Sequence, residues 1–205
     1  MNKIITTNQY SPNTKLLKQL TKENTVFAYP GETGYSLGCA VTDLKALERI
    51  RAMRQLSTNH NFTICCNTLK TASQYAVINN EIFKLMKKHT PAAITFILPA
   101  LATTPRKLSH KKRRNLGIRI PSAVLDMAIT EAFSGCIITT SAINKDEISN
   151  NPISAFDIEK IYHNNIDYIL ETEPVITSLS TIIDCTEEIT CIRKGQGKIP
   201  SECAL

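Results

Sequence analysis

The chain has 205 residues, 42% of them hydrophobic, and carries 24 Lys and Arg against 18 Asp and Glu, a net charge of +6. No apolar run is long enough to cross a bilayer, and Met1 to Thr7 lack the apolar stretch of a secretory signal, which argues against membrane and secreted classes and for a cytoplasmic one. The length suits one domain over residues 1–205 that buries roughly 70% of its unfolded surface, and the positive balance favours anionic partners.

In chain order, Ser11 to Glu23 has a helical period, with Leu16, Leu17 and Leu20 on one face, and Thr25 to Tyr29 follows as a β-prone run. Asp43 can cap a helix in which Leu44, Leu47, Ile50 and Met53 recur at helical spacing, and Phe62 to Cys65 reads as a short buried strand. A helix from Asn79 or Asn80 ends on Lys87, Lys88 and His89, where cations suit the negative end of the helix dipole, and Pro91 stops it. Ile94 to Leu98 is a strand, Thr104-Pro105 opens a short helix, Leu116 to Pro121 is a strand, Ala123 to Phe133 a helix and Cys136 to Ser141 a strand. Beyond a polar loop, Ser154 starts a helix that ends near His163, and three strands lie around Tyr168, Thr181 and Ile189 to Ile192. Helices and strands alternate early and strands cluster late, which predicts an α/β fold with a mixed sheet flanked by helices. There is no internal repeat and no linker long enough to divide the chain.

The seven cysteines lack Cys-x-x-Cys spacing and read as buried free thiols. The four histidines are scattered and read as ordinary surface or core residues, so no metal site made of protein side chains is predicted. Neither Gly-x-x-x-x-Gly-Lys-Ser/Thr nor Gly-x-Gly-x-x-Gly occurs. Polar residues instead fall just past predicted strand ends, where open α/β sheets bind ligands: the Tyr29 to Tyr35 segment, Arg54, Arg119, Thr140 with Ser141, and Ser180 with Arg193. Each also has a plain structural reading. Pro30, Gly31 and Gly34 can shape a turn, Arg54 can be a solvated charge, and Ser141 and Thr181 can bond local backbone. Arg119 is harder to dismiss, because a guanidinium between Ile118 and Ile120 needs an acceptor if it is buried. The run Lys111, Lys112, Arg113 and Arg114 reads either as a solvated loop or as phosphate contacts to RNA.

Six blocks in series resemble the YrdC/YciO family: Tyr29-Pro30-Gly31-Glu32-Thr33-Gly34-Tyr35-Ser36-Leu37-Gly38, Pro91 to Leu98, Gly117-Ile118-Arg119-Ile120-Pro121, Thr140-Ser141-Ala142, Ser180-Thr181-Ile182-Ile183-Asp184, and Arg193-x-Gly195. Met53-Arg54-Gln55-Leu56 is closest to the YciO branch. The resemblance implies a twisted mixed sheet with a positively charged concave face. It further implies threonylcarbamoyl-AMP synthesis from L-threonine, bicarbonate and ATP with release of pyrophosphate, linked to tRNA modification, Mg2+ accompanying the polyphosphate; or, alternatively, double-stranded RNA or tRNA binding without turnover. Carried over, Arg54, Arg119 and Thr33 take catalytic positions, and Glu32, Tyr35, Thr95, Ser141, Ser180 and Arg193 contact nucleotide or threonine. The chain departs from the family's pattern at Gly31 in place of Thr, at Leu56 in place of a second basic residue, and at Ile143 in place of Asn.

Overall fold

A computed structural model describes residues 3–8, 12–110, 112–144, 146, 148 and 150–203. Its strands are β1 (Lys3–Thr6), β2 (Phe27–Gly31), β3 (Gly34–Ala40), β4 (Thr63–Cys66), β5 (Ile94–Pro99), β6 (Asn115–Arg119), β7 (Cys136–Ser141), β8 (Tyr168–Glu171), β9 (Thr181–Asp184) and β10 (Thr190–Arg193). The helices are α1 (Thr14–Leu17), α2 (Leu44–Met53), α3 (Leu69–Ala72), α4 (Asn80–His89), α5 (Val124–Ala132) and α6 (Ala155–Tyr162). All ten strands join in one sheet in the order β1-β8-β2-β3-β7-β4-β6-β5-β9-β10. The sheet is mixed, as the alternation of elements predicts: β8 runs parallel to β1 and β2, β4 to β6 and β5 to β9, and the remaining pairs are antiparallel.

Capping chemistry fixes the helix starts. The Asp43 carboxylate accepts from the Lys45 and Ala46 amides, Asn79 Oδ1 accepts from the Ile82 amide, and Ser154 with Asp157 forms a capping box. The first helix is shorter than its periodicity predicts. It passes at Lys18 into a 3-10 turn that ends at Thr21, whose hydroxyl donates back to the Lys18 carbonyl. Thr104-Pro105 likewise opens only a 3-10 turn, Arg106–Leu108. Three elements have no counterpart in the sequence reading: β1, α3 and β3. The last is the return arm of a hairpin in which Pro30 faces Tyr35 and Gly31 faces Gly34, so the Pro/Gly segment is mostly strand, with its turn at Glu32 and Thr33.

Side chains alternate across a strand, and here the two faces differ in kind. Leu37, Ile64, Phe96, Ile118, Ile138 and Ile183 point to one face and pack under α2, α4 and α6 in the larger core. Phe27, Tyr29, Cys65, Ile137 and Leu170 point to the other face, under α1 and α5. The neighbours of the larger set, Ser36, Thr63, Thr95, Arg119, Thr139 and Ile182, also point to that second face, and they line an open cavity there.

Candidate functional site

The cavity has a volume of about 460 Å³. Seven consecutive strands of the sheet supply its floor, from Ser36 on β3 through Thr139 and Ser141 on β7, Thr63 on β4, Arg119 and Asn115 on β6, Thr95 on β5 and Asp184 on β9 to Arg193 on β10. Strand pairing therefore brings together residues that lie more than 150 positions apart in sequence.

Arg119 is 7% exposed and donates from Nη1 to Thr33 Oγ1 at 3.3 Å, while its Nε is buried without a partner. Burial works against its charge, and Cys65, Tyr29, Asp126 and Glu32, in that order, more than counter that, so its pKa lies above the usual value. Arg193 donates from Nε to the Ser180 carbonyl at 3.0 Å and from Nη2 to Ser180 Oγ at 3.1 Å, and Ser180 Oγ shares a hydrogen bond of 3.0 Å with Thr95 Oγ1. Burial first, and then the charge of Arg119, loosens the hold of Arg193 on its proton, so the two guanidinium groups sense one another across the cavity. Gly195 makes this reach possible: its amide donates to Thr181 Oγ1 at 3.0 Å, and a Cβ there would stand 2.2 Å from the Leu179 carbonyl oxygen.

Arg54 is half-buried, in contrast to the solvated charge that its helix position suggests. It donates to Asn144 Oδ1 at 2.6 Å and to the Ile143 carbonyl at 3.3 Å, and its Nε is buried without a partner. Ser141 lines the cavity, yet its hydroxyl donates to the Ile143 carbonyl at 2.8 Å, the local backbone bond that its position allows.

Two residues expected at the ligand lie elsewhere. Tyr35 is 1% exposed in the larger core and donates its hydroxyl to the Leu170 carbonyl at 3.0 Å, because β3 alternation turns it away from the face that Ser36 occupies. Glu32 is not a lining residue; it lies with Asp126 behind Arg119, accepting from the Ser122 amide and hydroxyl. The basic run does not form one strip. Lys111 lies outside the described residues, Lys112 is exposed, and Arg113 lines the cavity. Arg114 folds inward onto Ser109 Oγ and the Leu101 and Thr104 carbonyls.

Other site residues carry no motif. His60 lines the cavity, against the expectation of an ordinary surface or core histidine. Its ring meets Phe62 edge-on at 5.1 Å, and burial, then Arg51 and Arg54, lowers its pKa to about 4, so it is neutral at pH 7. Asn61 and Asn115 line the cavity with buried Oδ1 atoms that have no partner. The signal for Asn115 is the period of two: Asn115, Gly117 and Arg119 alternate with Leu116, Ile118 and Ile120. The departures from the family motifs also have structural reasons. Leu56 packs on the larger core as the apolar residue just past the α2 C-terminus, and Ile143 is buried in the cavity wall. All seven cysteines are free, five of them buried. Among the described residues, no group of three or more His, Cys, Asp or Glu is placed to hold a metal ion, and no helix is long and apolar enough to cross a membrane.

Comparison with known proteins places this arrangement. The family model Sua5/YciO/YrdC, described as telomere recombination, matches residues 19–195. The chain is 33% identical to the YciO protein of Escherichia coli strain K12 over 196 residues, 92% of this chain and 93% of that protein. The crystal structure of E. coli YciO superposes with a TM-score of 0.89 at 31% identity, covering 97% of this chain and 98% of that one. More distantly, the chain is 26% identical over 121 residues to the threonylcarbamoyl-AMP synthase of Neisseria meningitidis serogroup A, 58% of this chain and 64% of the synthase. It shares its fold with the P. abyssi Sua5 complexed with L-threonine, at a TM-score of 0.80 and 23% identity, covering 94% of this chain and 57% of that one.

Proposed function

The chain belongs to the Sua5/YciO/YrdC family, and from that premise we propose that its cavity binds ATP together with L-threonine and bicarbonate, and forms threonylcarbamoyl-AMP with release of pyrophosphate. The observation that carries this reading is Arg119: a guanidinium 7% exposed, aimed at Thr33, with a buried Nε left over, on the same cavity as Arg54, Arg113 and Arg193. Four cations on one polar face suit a ligand with several negative charges. They act by positioning and by neutralising charge as it develops, the main contributions open to a protein in such a transfer. Arg113 adds a cation to the lining, to which Leu56 does not contribute. The Mg2+ that accompanies ATP would be held mainly by phosphate oxygens and water, with Asp184 the carboxylate on the lining among the described residues. Support for the small carboxylate comes from the Sua5 relative that was crystallised with L-threonine.

The test is incubation with ATP, Mg2+, bicarbonate and L-threonine while pyrophosphate is measured. Release should depend on L-threonine and fall by at least about tenfold in Arg119→Ala, since a hydrogen bond to a charged group contributes roughly 1.5–3 kcal/mol. Release no greater than that of Arg119→Ala would retire the proposal.

A further inference from the structure

One end of the cavity floor is built from two carboxamides. β4 and β6 run parallel with Thr63 facing Gly117, and the Gly117 amide donates to the Phe62 carbonyl at 3.0 Å. Asn61 and Asn115 each stand two residues before that facing pair, so the alternation of side chains brings both to the cavity face, and both line it. Asn115 is 5% exposed, and the Oδ1 atoms of both residues are buried without a hydrogen-bond partner. A buried acceptor left unmet costs stability, so this end of the floor is shaped for N–H or O–H donors that the described residues do not supply. Asn115 lies four residues from Arg119 on the same face of β6, about 13 Å along the strand, and Gly117 between them adds no side chain of its own. That separation is on the scale of a nucleotide from its phosphate to its base.

Resting on the reading that the cavity binds ATP, we propose that Asn61 and Asn115 form its base subsite, the two Oδ1 atoms accepting the two hydrogens of the adenine amino group. A carboxamide suits adenine because it accepts from that amino group and has an N–H to donate to the ring nitrogen beside it. A base with a carbonyl oxygen at the same position, guanine or hypoxanthine, sets an acceptor against two acceptors and leaves both unmet. An ammonium group is a poorer occupant than a neutral amino group, since Arg54 and Arg113 line the same cavity and Arg113 is two residues from Asn115. His60, beside Asn61 in the chain and on the same lining, is neutral at pH 7 and adds no further charge.

The experiment is calorimetric titration of the full chain with ATP, inosine triphosphate and tripolyphosphate, each with Mg2+ and without L-threonine. Inosine triphosphate carries an oxygen where ATP carries the amino group. ATP should bind at least about tenfold more tightly, because a site built around an N–H donor rejects the analogue that lacks it. In Asn61→Ala and in Asn115→Ala the ratio should shrink toward one through weaker ATP binding, while tripolyphosphate binds as it does to the wild type. Equal affinities of the wild type for ATP and inosine triphosphate overturn the inference and leave the anion reading intact. A preference for ATP that is unchanged in both variants also overturns it, and if those variants lose L-threonine binding instead, the amides belong to the amino acid. If one variant does not fold, the other and the wild-type ratio still decide. Absence of binding by both ATP and tripolyphosphate removes the underlying reading, and this inference with it.

Discussion

Asp126, buried on α5, and His60, on the cavity, should tilt the stability of the protein in opposite directions. Burial raises the Asp126 pKa from 3.8 to about 6, so the folded state holds that proton more tightly than the unfolded chain does. Stability from this group is therefore greatest in acid and falls as pH rises from about 4 to about 6, by about 3 kcal/mol at the pKa shift involved. His60 is the reverse case. Burial and two arginines lower its pKa from 6.5 to about 4, so its contribution is present above the unfolded value and is lost as pH falls through that window. The two effects largely offset one another in the wild type, and single variants separate them. Relative to wild type, Asp126→Asn should gain up to about 3 kcal/mol at pH 7 and nothing at pH 4. His60→Gln should lose the acid-side penalty and grow relatively more stable toward pH 4. Urea denaturation at a series of pH values measures both, and parallel profiles for the two variants would contradict these assignments.

The C-terminus of α2 shows how a motif position is taken over by helix geometry. The Gln55 amide donates to the Ala52 carbonyl and the Leu56 amide to the Arg51 carbonyl, the paired bonds of a Schellman ending, with Gln55 in the left-handed region at φ 50°. Leu56 is then the apolar residue expected just beyond such an ending, and this element carries Arg54 at its cap on the cavity. A left-handed non-glycine residue is strained, so Gln55→Gly should stabilise the protein by about 0.5–1 kcal/mol, read as a higher midpoint in chemical denaturation with no change in slope. At the other end of α2, Asp43→Ala removes an acceptor shared by two helix amides and should cost about 1–2 kcal/mol, with Asp43→Asn close to wild type. Elements of this kind are legible in the sequence because their signals are local: Asp43 and Asn79 announce helix starts, and the β-branched run at Cys136 to Ser141 coincides with β7. β3 is not legible, since Gly34, Ser36 and Gly38 have little strand preference of their own. It exists because β2 and β7 supply hydrogen bonds on both sides, and Gly38 has the ring of Phe27 lying where its Cβ would be. The site divides the same way. Arg119, Thr33, Thr95, Ser141, Ser180, Arg54 and Arg193 are readable from ordered motifs, whereas His60 and Asn61 reach the cavity from the segment just before β4 and Asn115 from the start of β6, outside any motif.

On the scale of the whole molecule, the cavity is a joint. Strands from β3 to β10 in sheet order all contribute to it, and the last of them are tied back by Arg193 to Ser180 and by the packing of Gly195 and Gly197 against the neighbouring backbone. A ligand on these residues holds together the half of the sheet nearest β3 and the half that ends in β10, so its binding energy should appear as stability of the entire fold and not of one loop. At a hundredfold excess over Kd, a ligand specific for the folded state adds about 2.7 kcal/mol. For a chain of this length each kcal/mol moves the midpoint by roughly 2–4 °C, so saturating ATP with Mg2+ should raise Tm by about 5–10 °C in a single transition. Arg119→Ala should remove most of that shift while it keeps a transition of its own in the absence of ligand. Differential scanning calorimetry distinguishes the outcomes: a ligand that splits the endotherm, sharpening one part and leaving the other in place, would mean that the cavity does not join the sheet, and a shift of equal size in Arg119→Ala would place the nucleotide away from the four guanidinium groups.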